Sequence, residues 1–167
     1  MELWDILDAN GNLTGKVIER GGVLDVGEYY LGVHIYIVND EGNFLIQKRA
    51  KCKRYFANIW DLNMGHAISG ETSKQAAIRE ISEEIGVELD QGELKFVKRF
   101  IWEKYNHIID IWLVHRNIDI SSTVMQKEEV SDLKYISKNE LMELLMDMSA
   151  NRPSRPSEYV QIISTLK

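Results

Sequence analysis

Apolar and polar residues along this chain follow two periods, and the changes between them mark out its elements. From Leu31 to Val38, Leu31, Val33, Ile35 and Ile37 share one side while His34 and Tyr36 occupy the other, the period of two expected of a β-strand. The polar run Asn39-Asp40-Glu41-Gly42-Asn43 reads as a turn, and Phe44 to Lys48 as the antiparallel partner of that strand. Upstream, Leu3 to Val17 alternates around Asn10-Gly11, a dipeptide suited to a tight hairpin turn. Downstream, Leu94 to Trp102 and Ile108 to His115 predict two strands joined through residues 103–107, and Leu133 to Ile136 predicts a short one.

The helical period predicts three further elements. Thr72 or Ser73 is placed to cap a helix that runs to about Ile85, with Gly86 as its stop. Ile78, Ile81 and Ile85 give that helix an apolar stripe, expected on the side away from Glu80, Glu83 and Glu84. Lys138 to Met148 carries Leu141, Leu144, Leu145 and Met148 on a core face, and Glu158 to Leu166 forms a final helix after a break that holds the chain's two prolines. Strands mixed with few helices, without regular βαβ alternation, predict an α+β fold: an α/β/α sandwich around a mixed β-sheet. A length of 167 residues suits one domain, residues 1–167, with residues 1–28 as an N-terminal β-hairpin extension.

Composition narrows the classes. With 44% hydrophobic and 28% charged residues the chain has the make-up of a globular protein rather than a disordered one. A net charge of −6 argues against a nucleic acid polymer or an anionic membrane as partner, yet leaves room for a phosphate-bearing small molecule, since a bound cation inverts the local field. Cys52 is the single cysteine, so neither an internal disulfide nor a cysteine-based zinc cluster can form; a small buried apolar residue is its expected role. The N-terminal MELWDILDANG lacks the pattern of a signal peptide, and no apolar stretch reaches membrane-spanning length. A cytoplasmic setting is therefore the expectation.

The chemistry concentrates between Gly65 and Val87. Glu80, Glu83 and Glu84 stand at i, i+3 and i+4, so a helix places three carboxylates side by side, where they repel one another. A solvated acidic helix face is one reading. The other is a hard divalent cation, Mg²⁺ or Mn²⁺, with oxygen ligands and a substrate diphosphate completing its shell. Gly65 and Gly70 permit a tight loop, and Arg79 can pair with Glu83 at i+4 or reach back to Glu71, holding loop and helix together.

The full spacing fits the Nudix box, G-x5-E-x7-R-E-U-x-E-E-x-G-U with U aliphatic, at Gly65, Glu71, Arg79, Glu80, Ile81, Glu83, Glu84, Gly86 and Val87. The chain thus resembles the Nudix hydrolase superfamily, with residues 65–87 as the loop-helix-loop box. That resemblance implies divalent-cation binding by Glu80, Glu83 and Glu84 with the Gly65 carbonyl, a structural brace of Glu71 and Arg79, and hydrolysis of a phosphoanhydride in a nucleoside diphosphate linked to another moiety. It also implies that one box glutamate, Glu80 or Glu83, orients or deprotonates the water, and that a loop acid, Glu129 or Glu128, assists. Lys48, Arg49 and His66 are candidate phosphate-binding residues. Competing roles stand beside these: a solvated strand end for Lys48 and Arg49, loop shaping for His66, the strand's second face for His34, solvent for His107, and core for Trp60 and Trp102.

WDILDANGNLTGK, Leu31 to Val38, Gln47-Lys48-Arg49 and Asn58-Ile59-Trp60-Asp61 further resemble the branch shared with type 1 isopentenyl-diphosphate isomerases. Those enzymes use a cysteine before the glycine-histidine that opens the box, and a downstream glutamate whose place Asp110 loosely takes. Here Met64 precedes Gly65-His66 and cannot usefully exchange a proton, so hydrolysis is favoured over isomerisation. A binding module that keeps the fold without catalysis is the third reading, disfavoured by the intact glutamates. Relatives of this kind often dimerise, and the N-terminal hairpin is the candidate face for a homodimer.

Overall fold

A computed structural model describes residues 2–147 and 155–166; Met148, assigned by its spacing to the core face of a helix, lies outside the described residues. Strands β1 (Leu3–Leu7) and β2 (Leu13–Glu19) form a separate antiparallel hairpin, closed over Asp8–Asn12 rather than by a two-residue turn. Asp8 explains the longer loop: its Oδ1 accepts the N–H groups of Asn10 and Asn12, and Gly11 takes φ 80°. Trp4 and Ile6 of the hairpin pack with Tyr30, while Leu13, Val17, Val23 and Val26 on and after β2 remain exposed.

The main sheet is built on β3 (Tyr30–Val38). It pairs in parallel with β8 (His107–His115), which pairs antiparallel with β7 (Lys95–Trp102). On its other edge β3 meets β4 (Phe44–Arg49) only at Ile37–Val38, after which the two strands diverge. The chain from β5 (Trp60–Asp61) to β6 (Asn63–His66) fills that fork, β5 pairing with β4 and β6 with β3. β9 (Val130–Ile136) covers the far edge of β4. The alternation of residues 31–37 is borne out, whereas β5 and β6 carry no period of their own and exist because two diverging strands offer unpaired backbone. β9 begins three residues before its apolar part, since pairing with Arg49 and Lys48 extends it through Ser131 and Asp132.

Helix α1 (Ser73–Ile85) covers one face over Val33, Ile35, Ile37 and Leu45; α2 (Lys138–Met146) and α3 (Glu158–Thr165) cover the other over Tyr36, Phe44, Ile109 and Ile111. The α/β/α sandwich is therefore as expected. The stripe on α1 is not: its buried positions are Ala76, Ala77, Ile81, Glu84 and Ile85, so Glu84 points toward the sheet in the middle of the apolar face. Thr72 starts the helix through a capping box with Gln75, and Gly86 ends it at φ 68°. Replacing Thr72 by Ala should lower stability by about 1 kcal/mol in urea denaturation; an unchanged midpoint would show that the loop, not the cap, sets the helix start.

Candidate active site

The loop between β6 and α1 is tied to the helix by Arg79 and to β1 by Asp5, which accepts from Ser69 Oγ and the Gly70 N–H. Arg79 donates from Nε and Nη2 to the two Glu71 oxygens at 2.8 and 3.0 Å, and from Nη2 to the His66 carbonyl at 2.8 Å. Its Nη1 bridges Glu80 at 3.1 Å and Glu83 at 3.0 Å, so the two pairings open in the sequence are both made. Glu71 in turn accepts the Ile68 N–H. Glu80 folds back over the loop and accepts the His66 N–H at 3.2 Å. Only glycine allows this: a Cβ at Gly65 would lie 2.0 Å from the Glu80 carboxyl carbon.

Glu84 is 5% exposed and accepts from Gln47 Nε2 at 2.9 Å. Burial, reinforced by the Glu80 charge, pushes its carboxyl up to about 8; burial also raises that of Glu80, with Arg79 opposing. Glu83 is different, 55% exposed and paired only to Arg79. Sequence reasoning missed Gln47, although the period of two puts it in line with Leu45 on the α1 side of β4.

These groups line a pocket of about 360 Å³. Its lining includes Gly65, Arg79, Glu80, Glu83 and Glu84 from the loop and helix, and Arg49, Lys53 and Glu129 from β4 and the loops after it and before β9. The loop carrying Glu129 is tied to the end of α1, where Gln126 N–H bonds the Glu84 carbonyl and Val124 N–H that of Ile85. A Cβ on Gly86 would meet Val124 at 3.0 Å, so that glycine serves the loop crossing as well as the helix end. Lys53 bonds Glu129 at 2.5 Å. Glu128 is exposed and lies outside the pocket lining, as is Cys52, whose expected burial is not found.

Arg49 reaches the pocket with a buried Nε that has no hydrogen-bond partner among the described residues. Lys48 does not, because alternation turns it away toward the Trp60 ring, 5.8 Å from its centre. His66 lines the pocket, yet its Nε2 is engaged by His107 Nε2 at 2.7 Å and its ring stacks on Trp4. Burial keeps both imidazoles neutral, His66 well below the usual range and His107 down to about 4. His107 is thus a pocket residue rather than a solvent-facing one. His34 fills the second strand face as expected and bonds Tyr159 at 2.7 Å, also bordering the pocket. Trp102, assigned to the core, stands on the pocket wall beside Tyr105 and Arg155. Asp110 is 1% exposed and held by Arg99 at 2.6 and 2.8 Å, outside the pocket lining, so it does not play the downstream glutamate.

The oxygens suit a hard cation: desolvated carboxylates facing one another over a glycine loop, with no nitrogen or sulfur ligand among them. Among the described residues no three His, Cys, Asp or Glu side chains are gathered about one point as they stand, because Arg79 lies between Glu80 and Glu83. Glu83, being exposed, can exchange that partner for an ion at little cost.

The NUDIX domain model matches residues 28–157, and the chain belongs to the Nudix family. It is a Nudix hydrolase, of the class acting on anhydrides in phosphorus-containing compounds. An uncharacterised Nudix hydrolase of Listeria monocytogenes is 42% identical over 142 residues, covering 84% of this chain and 83% of that protein. Isopentenyl-diphosphate Delta-isomerase 2 of Photorhabdus laumondii is 28% identical, covering 86% and 82%. The crystal structure of a Deinococcus radiodurans protein superposes with TM-score 0.77 at 18% identity over 99% of this chain and 100% of that one, a likeness of fold. Among the described residues no helix is long and apolar enough to cross a membrane.

A raised carboxylate makes the folded chain bind more protons than the unfolded one between pH 4.5 and about 8, so stability falls as pH rises through that window. Glu84→Gln should abolish this loss. In EDTA the variant should be the more stable by about 4 kcal/mol at pH 8, at about 1.4 kcal/mol per unit, with the gap closing below pH 4.5. A gap independent of pH would refute the burial of the charge.

Proposed function

We propose that this chain is a divalent-metal-dependent pyrophosphohydrolase, using Mg²⁺ or Mn²⁺, that cleaves a phosphoanhydride bond in a nucleoside diphosphate linked to another moiety. The observation that carries it is the approach of Glu80 to Gly65 beside the buried Glu84, an arrangement that brings two carboxylates together in a desolvated place. Glu80, Glu83, Glu84 and the Gly65 carbonyl are the groups that would hold the ion. When bound, a divalent cation neutralises diphosphate charge.

The remaining work falls to other side chains of the pocket. Arg49 and Lys53 line it with the glutamates and orient the phosphates, Arg49 with a buried N–H unpartnered among the described residues. Glu129, steadied by Lys53, takes a proton from the attacking water as its oxygen bonds to phosphorus and the bridging P–O bond breaks. Of the other two candidate catalytic groups, Glu80 is fixed by the His66 N–H and Arg79, whereas Glu83 is free to move. His66, turned to His107, shapes the loop more than it offers a phosphate contact. Met64 lines the pocket where the isomerase-like relatives would need a proton-exchanging group, which supports hydrolysis. A small-molecule substrate, in keeping with the net charge of −6, a cytoplasmic setting, and a homodimer through the exposed β2 side chains complete the reading.

Incubation with nucleoside diphosphate derivatives and Mg²⁺, with both products identified by mass spectrometry, should give phosphomonoesters only when the cation is present. Glu83→Gln should lower the rate by more than about 100-fold, beyond what loss of an outer contact costs. Retained turnover in that variant would displace Glu83 from the site. Glu129→Gln should lower kcat with KM nearly constant, and a loss confined to KM would make Glu129 a binding residue instead.

A further inference from the structure

The pocket has a second polar end that hydrolysis does not use. Arg155, in the segment before α3, reaches it with a side chain only 4% exposed. Its Nη2 pairs with Asp61 of β5, a carboxylate 3% exposed that also accepts the Leu62 N–H. The guanidinium carbon lies 5.4 Å from the centre of the Trp102 ring and 4.9 Å from that of Tyr159, two rings that themselves meet edge to face. Nη1 has no hydrogen-bond partner among the described residues. Met64, Trp102, Tyr105 and Ile109 supply the less polar walls of the same end.

A guanidinium neutralised by one carboxylate and set against two aromatic rings is a weak point charge but an oriented donor. A hydrocarbon tail seated against it would leave the N–H unpaired in a desolvated site, whereas an oxygen acceptor would complete its bonding. We propose that Arg155 is a specificity-determining residue whose Nη1 donates to a carbonyl or hydroxyl oxygen on the organic moiety beyond the diphosphate. The pocket thereby selects moieties with such an oxygen, as in a nucleobase or sugar, over an isoprenyl chain. This rests on the hydrolase reading above and orients the substrate: phosphates at Glu80 and Glu84, organic moiety at Arg155.

The test compares the α,β-methylene analogues of uridine diphosphate and isopentenyl diphosphate, which resist cleavage and differ only beyond the phosphorus atoms. Calorimetric titration with Mg²⁺ present should show the full chain binding the uridine analogue at least about tenfold more tightly, as expected where a site is built around a hydrogen bond. Arg155→Met alone would strand the Asp61 charge, so the decisive variant is Arg155→Met with Asp61→Asn, in which the preference should fall to about twofold or less. Should that pair fail to fold, Arg155→Lys keeps the charge opposite Asp61 and loses the second donor of the fork, and the preference should fall in the same direction. No preference in the parent chain, or a preference that survives either folded variant, overturns the assignment. Absence of any diphosphate hydrolysis with Mg²⁺ would instead sink the catalytic reading, and the analogue preference would still be measurable.

Discussion

The guanidinium of Arg79 joins three parts of the box through one planar group: the end of β6, the loop carrying Glu71, and the first turns of α1. A lysine could not do this, since the job needs donors in a planar fork reaching a carboxylate, a carbonyl and two further glutamates at once. Because both loop and helix are pinned to one group, Glu80 has nowhere to go except over Gly65. The capping box at Thr72 and the left-handed Gly86 then fix where the helix starts and stops. The position of every box carboxylate follows from that short list of constraints.

The same constraints hold charge where the fold alone would not place it. Glu84 sits among Ala77, Ile81 and Ile85 on the face that packs against the sheet, with one amide donor for company. Replacing a carboxylate there by an apolar residue would suit the core better. The divergence of β3 and β4 makes the arrangement tolerable, because the fork filled by β5 and β6 opens a cleft at the helix's edge instead of a closed layer. Stability is given up locally in a place where a cation and a diphosphate can restore it.

Much of this was legible in the chain. The box residues lie close in sequence, so the brace of Arg79 and Glu71 and the placement of the three glutamates on one helix are legible from local spacing. The strands β3, β4, β7 and β8 announce themselves by period, and so do the helices. What escaped was everything made by distant pairing. Asp61 and Arg155 meet across most of the chain, and nothing in the polar segment around Arg155 distinguishes it from a solvated loop. Trp102 ends a strand and reads as core, but its neighbours Tyr105, His34 and Arg155 make it a wall. The error on the α1 stripe is of another kind: three isoleucines defined a face, and the alanines that shift it toward Glu84 were given no weight.

The distribution of proton-exchanging groups decides between the two chemistries that this branch of the fold supports. Moving a proton on an alkene needs a donor and an acceptor on opposite faces of a carbon, both beside the organic end of the substrate. At that end of the pocket His34 is neutral and already partnered by Tyr159, and Met64 contributes no proton; His66, beside the glutamates, is likewise neutral and engaged by His107. Elsewhere in the same pocket the exposed Glu83, paired with Arg79, and Glu129, paired with Lys53, supply carboxylates. Hydrolysis needs a proton acceptor only there. The organic end is left to recognition, and the fixed donor of Arg155 gives it something to recognise.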